Sequence, residues 1–398
     1  MDSTNNNSGI DQTYRLLALC ARAEGHPIFY EQLARQIEGF TAWGELPFQA
    51  ELHGMGPLLW HHLKGAGISI PAETERVLRG LYLRQRAFNR VHAQTLVEIT
   101  SLFEQAGIRA LVLKGLALAY QYYPDPALRP VSDIDLLLKK EDFLPALHQL
   151  ENAKFNVRFP PPTLRRLPKS LTADSPPRDG ISVHVELHHY DPGGRYEKGN
   201  SPDPEFNGFH EPPQIVTIDK NIIYTSTPLE TLHYLSRHLT KHLFIGNTNK
   251  PVQLKWIADI ISLVEHHAKE IDWTHLQQHH PDILNRLEVL YSLTPLPEQL
   301  TKIIPIRQIT QLGGLNQYPP GWPHQSIQQW KQVGFLRFIW QVFIPPSDWW
   351  LRLHYGITEQ PLFWYRHIIY RTQILKSLFW VLMHKIGEFA SKQKLPNP

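Results

Sequence analysis

The sequence predicts an α+β protein in which a small mixed β-sheet core is flanked by helical N-terminal and C-terminal regions. Three observations carry this reading. From about Asp11 to Gln105 apolar residues recur at helical spacing. From 106 to 226 the pattern changes to short apolar runs and strict alternation, as in buried or half-buried strands. From 227 to the end it becomes helical again. The domain boundaries follow: a polar, disordered tail over 1–10, a helical region over 11–105, an α/β core over 106–226 and a helical region over 227–398.

In order, DQTYRLLALCARA is helical, with Asp11 available as its cap, and the long amphipathic stretch from Leu81 stops at Gly107. RALVLKG (109–115) is a short buried strand and LALAYQYY (116–123) a helix that starts just after Gly115. DIDLLLKK is a strand, EDFLPALHQLENA a helix with acidic residues at its start, and KFNVRF a further strand. The proline-rich stretch 160–180 reads as a surface loop. ISVHVELHHY (181–190) alternates as a half-buried strand does, and QIVTIDKNIIYTS reads as a hairpin. PLETLHYLSRHLTKHLF and VQLKWIADIISLVEHHAKE are strong amphipathic helices.

Composition narrows the function classes. The 398 residues carry 42% hydrophobic and 19% charged side chains, which suits a globular chain. A net charge of +3 gives no basic surface for a long nucleic acid, although a nucleotide-sized anion can bind locally. The one cysteine, Cys20, excludes an intramolecular disulfide and a cysteine-based zinc site. The first residues lack the apolar segment of a signal peptide, and no run reaches the length of a spanning helix, so a cytoplasmic, soluble protein is expected.

The chemistry concentrates in LRPVSDIDLLL (128–138). Residues i and i+2 of a strand share a face, so Asp133 and Asp135 point the same way while Ile134 and Leu136 face a core. Two adjacent carboxylates repel unless a cation lies between them, and hard oxygen ligands suit Mg²⁺ or Mn²⁺. In SVHVELHHY, His184, Glu186 and His188 share one face; if that strand neighbours 133–138, Glu186 completes a three-carboxylate cluster. Such clusters hold two metals for in-line displacement at phosphorus. Lys114 and Gly115 stand where a strand turns into a helix, a place suited to phosphate. Arg129 is a candidate phosphate clamp.

The stretch VLKGLALAYQYYPDPALRPVSDIDLLL resembles the DNA polymerase beta-like nucleotidyltransferase superfamily, and within it the bacterial group called nucleotidyltransferase family protein. The acid-x-His element Glu186-Leu187-His188, the paired His238 and His242, and the Lys255-Trp256-x-x-Asp259 element extend the likeness from about residue 11 to 370. The resemblance implies metal-ligand roles for Asp133 and Asp135, with Glu186 in the third acidic position. Two departures stand out. The superfamily has Gly-Gly or Gly-Ser at the phosphate turn, where this chain has Lys114-Gly115-Leu116, and its third acid is more often aspartate.

The expected activity is transfer of a nucleoside monophosphate from a nucleoside triphosphate to a hydroxyl-type acceptor, with release of pyrophosphate. The acceptor is a small molecule, an RNA end or a protein. Asp133, Asp135 and Glu186 would be catalytic, and Lys114, Gly115, Arg129, His188, His238 and Lys255 would contact the nucleotide. His238 and His242 either line the cleft or pack between helices. Lys255 either contacts substrate or pairs with Asp259 four residues on. The aromatic, basic C-terminal helices pack, bind a partner or rest on a membrane surface. The alternative function is a catalytically silent nucleotide-binding or scaffold protein, held to a membrane surface by those helices.

Overall fold

The computed structural model describes residues 12–159, 168, 170–190, 213–245, 253–304, 334, 343, 347–358 and 362–376. The expected tail, the Asp11 cap and most of the aromatic stretches near 335–346 and 377–389 lie outside the described residues. The chain divides into two compact units. The first comprises 1–239, 253–276 and 293–305; the second comprises 240–252, 277–292 and 306–398. Among the described residues, no helix is long and apolar enough to cross a membrane.

The first unit is built on a seven-stranded mixed sheet. Its strands are β1 (Ala110–Leu113), β2 (Asp133–Lys139), β3 (Asn156–Val157), β4 (Ser170–Asp174), β5 (His184–Tyr190), β6 (Gln214–Ile218) and β7 (Asn221–Thr225). They lie in the order β3-β4-β5-β2-β1-β7-β6. The hairpin expected from QIVTIDKNIIYTS forms, and Asp219 and Lys220 at its tip both take positive φ, as a tight two-residue turn requires.

β4 corrects the surface-loop reading of 160–180 over Ser170–Asp174. Its five residues pair antiparallel with β5, burying Leu171 and Ala173. With two apolar positions between Pro168 and Pro176, its alternation is too short to stand out.

One sheet face is core. Val112, Ile134, Leu136, Leu138, Leu171, Ala173, Val185 and Leu187 pack against two helices, α5 (Ala72–Gln105) and α7 (Phe143–Asn152). α5 runs farther toward the N-terminus than its clearest amphipathic stretch suggests, with Glu73 and Glu75 in its first turn favouring the helix dipole. Its end is followed by Gly107 at φ 71°, the left-handed stop the sequence implied. On the opposite face Leu111, Leu113 and Leu137 form a small cluster with Tyr234 of α8 (Pro228–Ile245). The remainder of that second face carries the charged groups.

In the second unit, α11 (Pro281–Leu290) packs with α12 (Asp348–Tyr355). Arg286 Nε donates to Leu353 O at 3.1 Å and Asn285 Nδ2 to Gly356 O at 2.9 Å. Ser347 caps α12, and Gly356, at φ 63°, ends it in the left-handed conformation. Phe363 and Trp364, farther along, are exposed.

Candidate functional site

β2 and β5 run parallel with Asp133 opposite His184 and Asp135 opposite Glu186. Directly opposed residues share a face, so the two-residue period brings Asp133, Asp135, His184, Glu186 and His188 onto one surface. This is the neighbour relation on which the sequence reading depended.

Within that surface Asp135, Glu186 and His188 converge, each offering a ligand atom within 4.8 Å of the others. Asp135 is 1% exposed, while Glu186 and His188 are half-buried. His188 Nε2 lies 3.2 Å from Asp135 Oδ1 and 3.5 Å from Glu186 Oε2, so one nitrogen faces both carboxylates. Lys114 Nζ stands 3.2 Å from Asp135 Oδ2. Burial disfavours the Lys114 ammonium, but Asp135, with Asp133 and Tyr234 adding to it, outweighs that and raises its pKa.

Asp133 shares the face but does not join this group. Ser132 Oγ donates to its Oδ1 at 3.2 Å. Burial pushes its carboxyl up, yet Lys114, Lys255, the Ser132 hydroxyl and Arg129 together hold it below the usual carboxylate range. His188, expected to contact the nucleotide, stands in the candidate metal group.

The strand-to-helix turn is as the sequence implied. α6 (Gly115–Tyr122) follows β1 directly, with Lys114 as its N-cap at φ 38° and Gly115 at φ 51°. Positive φ in a lysine is strained, and Gly115 shares the strain at no cost from a Cβ. A Cβ on Gly115 would sit 3.5 Å from Asp133 O, so the turn packs closely on the first residue of β2.

Arg129 and Lys255 meet partners that the sequence reading did not name. Arg129, read as a phosphate clamp, is buried and held bidentately by Asp259 of α9 (Leu254–His266). Its Nε and Nη2 donate at 3.0 and 2.8 Å, and Nη1 donates to Pro130 O. Tyr123 OH donates to the same carboxylate at 2.9 Å. Asp259 therefore pairs with Arg129 rather than with Lys255, its neighbour one helical turn away. The loop carrying Arg129 is tied to α5 as well: Asn89 Nδ2 donates to the Pro126 and Arg129 carbonyls at 2.7 and 3.0 Å. Arg129 thus fixes the approach to β2.

Lys255 Nζ donates to Pro130 O at 3.4 Å. Burial, then Arg129, push its pKa down to about 7, against the pull of Asp259 and Asp133. Its seat depends on Gly54, at φ 66°, where a Cβ would come within 2.7 Å of Lys255 Cδ. His238 is half-buried, its ring packed edge-on to Trp256 at 5.1 Å and stacked with Tyr234 at 6.2 Å. Through Tyr234 it borders the cluster under α8.

Sequence reasoning missed Asp174 and His184. They are cross-strand partners on β4 and β5, and His184 Nδ1 donates to Asp174 Oδ1 at 2.7 Å. His184 stood on the singled-out face of its strand, but Asp174 lay in the stretch read as loop. A separate cavity of about 900 Å³, beside Glu24, Tyr122, Ser262 and Gln299, contains none of these groups.

Convergent carboxylates and an imidazole on a mixed sheet, beside a lysine at a strand-to-helix turn, define a class of site suited to a divalent ion and a phosphate. The family model described as "Uncharacterised nucleotidyltransferase" matches residues 41–294, and the chain belongs to that family. No curated protein matched the chain.

Proposed function

We propose that the protein is a metal-dependent nucleotidyltransferase that moves a nucleoside monophosphate from a nucleoside triphosphate to a hydroxyl-type acceptor, releasing pyrophosphate. The observation that carries this reading is the convergence of Asp135, Glu186 and His188 beside the Lys114–Gly115 turn. The donor set fits Mg²⁺ or Mn²⁺: two carboxylates, one almost fully buried, meet at a point where like charges need a cation. Asp135, Glu186 and His188 would hold the ion, with Asp133 adding its carboxylate when a second ion binds. A bound divalent ion neutralises phosphate charge and lowers the pKa of an acceptor hydroxyl.

The protein's own groups supply the rest. The first amides of α6 lack intrahelical acceptors and offer donors to phosphate oxygens. Lys114 would exchange its Asp135 contact for the triphosphate, and the Gly115 backbone allows close approach. Lys255, beside Asp133, would be a second group for the leaving pyrophosphate, taking up a proton as negative charge arrives. Arg129 supports this arrangement from beneath by holding the loop before β2. Glu186, half-exposed, is the group from which an acceptor hydroxyl would be reached.

The test is transfer of label from α-labelled nucleoside triphosphates, with Mg²⁺ or Mn²⁺, to components of a cell extract. Labelling with pyrophosphate release that is lost in Asp135→Asn supports the reading. Labelling that survives Asp135→Asn overturns the metal assignment. The absence of any thermal shift with metal and triphosphate would overturn the function.

A further inference from the structure

The metal reading leaves one feature of the sheet face unused. Glu186 stands between two imidazoles: His188 Nε2 is 3.5 Å from its Oε2, and His184 Nε2 is 3.8 Å from its Oε1. Each imidazole also meets an aspartate: His188 meets Asp135 through the same Nε2 at 3.2 Å, whereas His184 meets Asp174 through its other nitrogen, Nδ1, at 2.7 Å. The contacts run Asp174, His184, Glu186, His188, Asp135, and the registers put Asp174 opposite His184 and Asp135 opposite Glu186.

We infer that Asp174 and His184 are positioning residues that hold the Glu186 carboxylate in its metal-binding orientation. The inference rests on the metal site proposed above. Three side-chain torsions must be fixed before a glutamate can serve as a ligand, against two for an aspartate, and fixing them costs side-chain entropy. Glu186 is half-exposed, so core packing alone does not order it. His188, the imidazole on its inner side, itself belongs to the ligand group and so cannot serve only as a brace. His184 is the brace that remains. With Nδ1–H donated to Asp174, its ring plane is fixed, and its Nε2 stands 3.8 Å from Glu186 Oε1.

Asp174 is held in turn. Arg158 Nη2 lies 3.3 Å from its Oδ2, leaving Oδ1 to His184. The Arg158 pair is exposed and contributes little. The hydrogen bond from His184, then the charges of His184 and Arg158, outweigh burial and hold the Asp174 carboxyl below its usual range. The pair is thus a carboxylate–imidazole unit directed at a ligand, an arrangement that sets ligand orientation in metal sites generally.

Mn²⁺ binding to the full chain without nucleotide, read by electron paramagnetic resonance, tests this independently of turnover. His184→Asn and Asp174→Asn should each weaken Mn²⁺ binding about tenfold, and the two together no further, since they act as one unit. His184→Gln, which keeps a polar group near the Nε2 position, should stay within about threefold of the wild type. In a Glu186→Asp background, whose shorter arm does not reach His184, His184→Asn should lose most of its effect. Unchanged melting temperatures in chelator would show that the variants fold. Wild-type-like Mn²⁺ affinity in His184→Asn overturns the inference alone. A full loss that persists in the Glu186→Asp background overturns positioning through Glu186. A wild type that does not bind Mn²⁺ overturns the metal reading and this inference together.

Discussion

Two buried acid–base pairs in the same unit have different fates. Asp259 and Arg129 are both nearly inaccessible; both carboxylate oxygens accept from the guanidinium, and Tyr123 adds a third donor. The charges are fully paired, and the network ties a loop to a helix. Asp135 is buried to the same degree, but its partners are a lysine at 3.2 Å and an imidazole shared with a second carboxylate. Bidentate pairing closes the first site to any ligand. The lysine and the imidazole at the second can move, and its like charges still invite a divalent ion. Burial of a carboxylate therefore says little about function until its partners are counted.

Substitutions can break this contrast. The largest effect is expected at Asp135: Asp135→Asn should reduce nucleotidyl transfer by roughly four orders of magnitude, about 5 kcal/mol of barrier, in a single-turnover assay. Its unfolding free energy should fall less than that of Arg129→Met, because the loss of the Lys114 partner is partly offset by relief of the contact with Glu186. Arg129→Met should reverse that pattern. Leaving Asp259 charged and unpaired should cost about 3–5 kcal/mol in urea denaturation, and Arg129→Met/Asp259→Leu should recover much of it. If Arg129→Met abolished transfer without destabilising the chain, the guanidinium would belong to the site and not to the scaffold.

Smaller effects sharpen the same distinction. Gly54→Ala, at φ 66° and against Lys255, should cost about 1–2 kcal/mol in denaturant titration and weaken triphosphate binding. His62 offers a histidine without carboxylates for comparison. It is fully buried, with Nε2 2.7 Å from Arg22 O, and burial pushes its pKa from 6.5 down to about 3. The unfolded chain binds the proton first, so this residue's contribution is complete above pH 6.5 and is lost as pH falls toward 3. Stability should fall by at most about 1.4 kcal/mol per pH unit over that window on its account. His62→Gln should flatten the slope; an unchanged slope would show that His62 does not stay neutral.

Much of the site was legible because it depends on local period. Alternation in 133–138 and 181–190 indicated which side chains share a face, and the Lys114–Gly115 break marked the strand-to-helix turn. The family resemblance drawn from those residues agrees with the family that matches residues 41–294. The parts that escaped were non-local. β4 hid between prolines, and Asp174 was missed with it. The partner of Arg129 lies 130 residues away on α9, beyond any spacing rule. Lys255 and Asp259 looked like a helical pair, but Arg129 offers a planar, two-point partner that a lysine cannot match.

By itself the sequence determined the α+β order of elements, the shared face of Asp133 and Asp135, and the alternating face of His184, Glu186 and His188. These follow from backbone geometry, which repeats every two residues in a strand and every 3.6 in a helix. Only the tertiary structure decided which strands lie side by side, that Arg129 belongs to Asp259, and that His184 is anchored by Asp174. Ion pairs and hydrogen bonds are decided over a few ångströms between groups far apart in the chain, and only the folded chain brings those groups together.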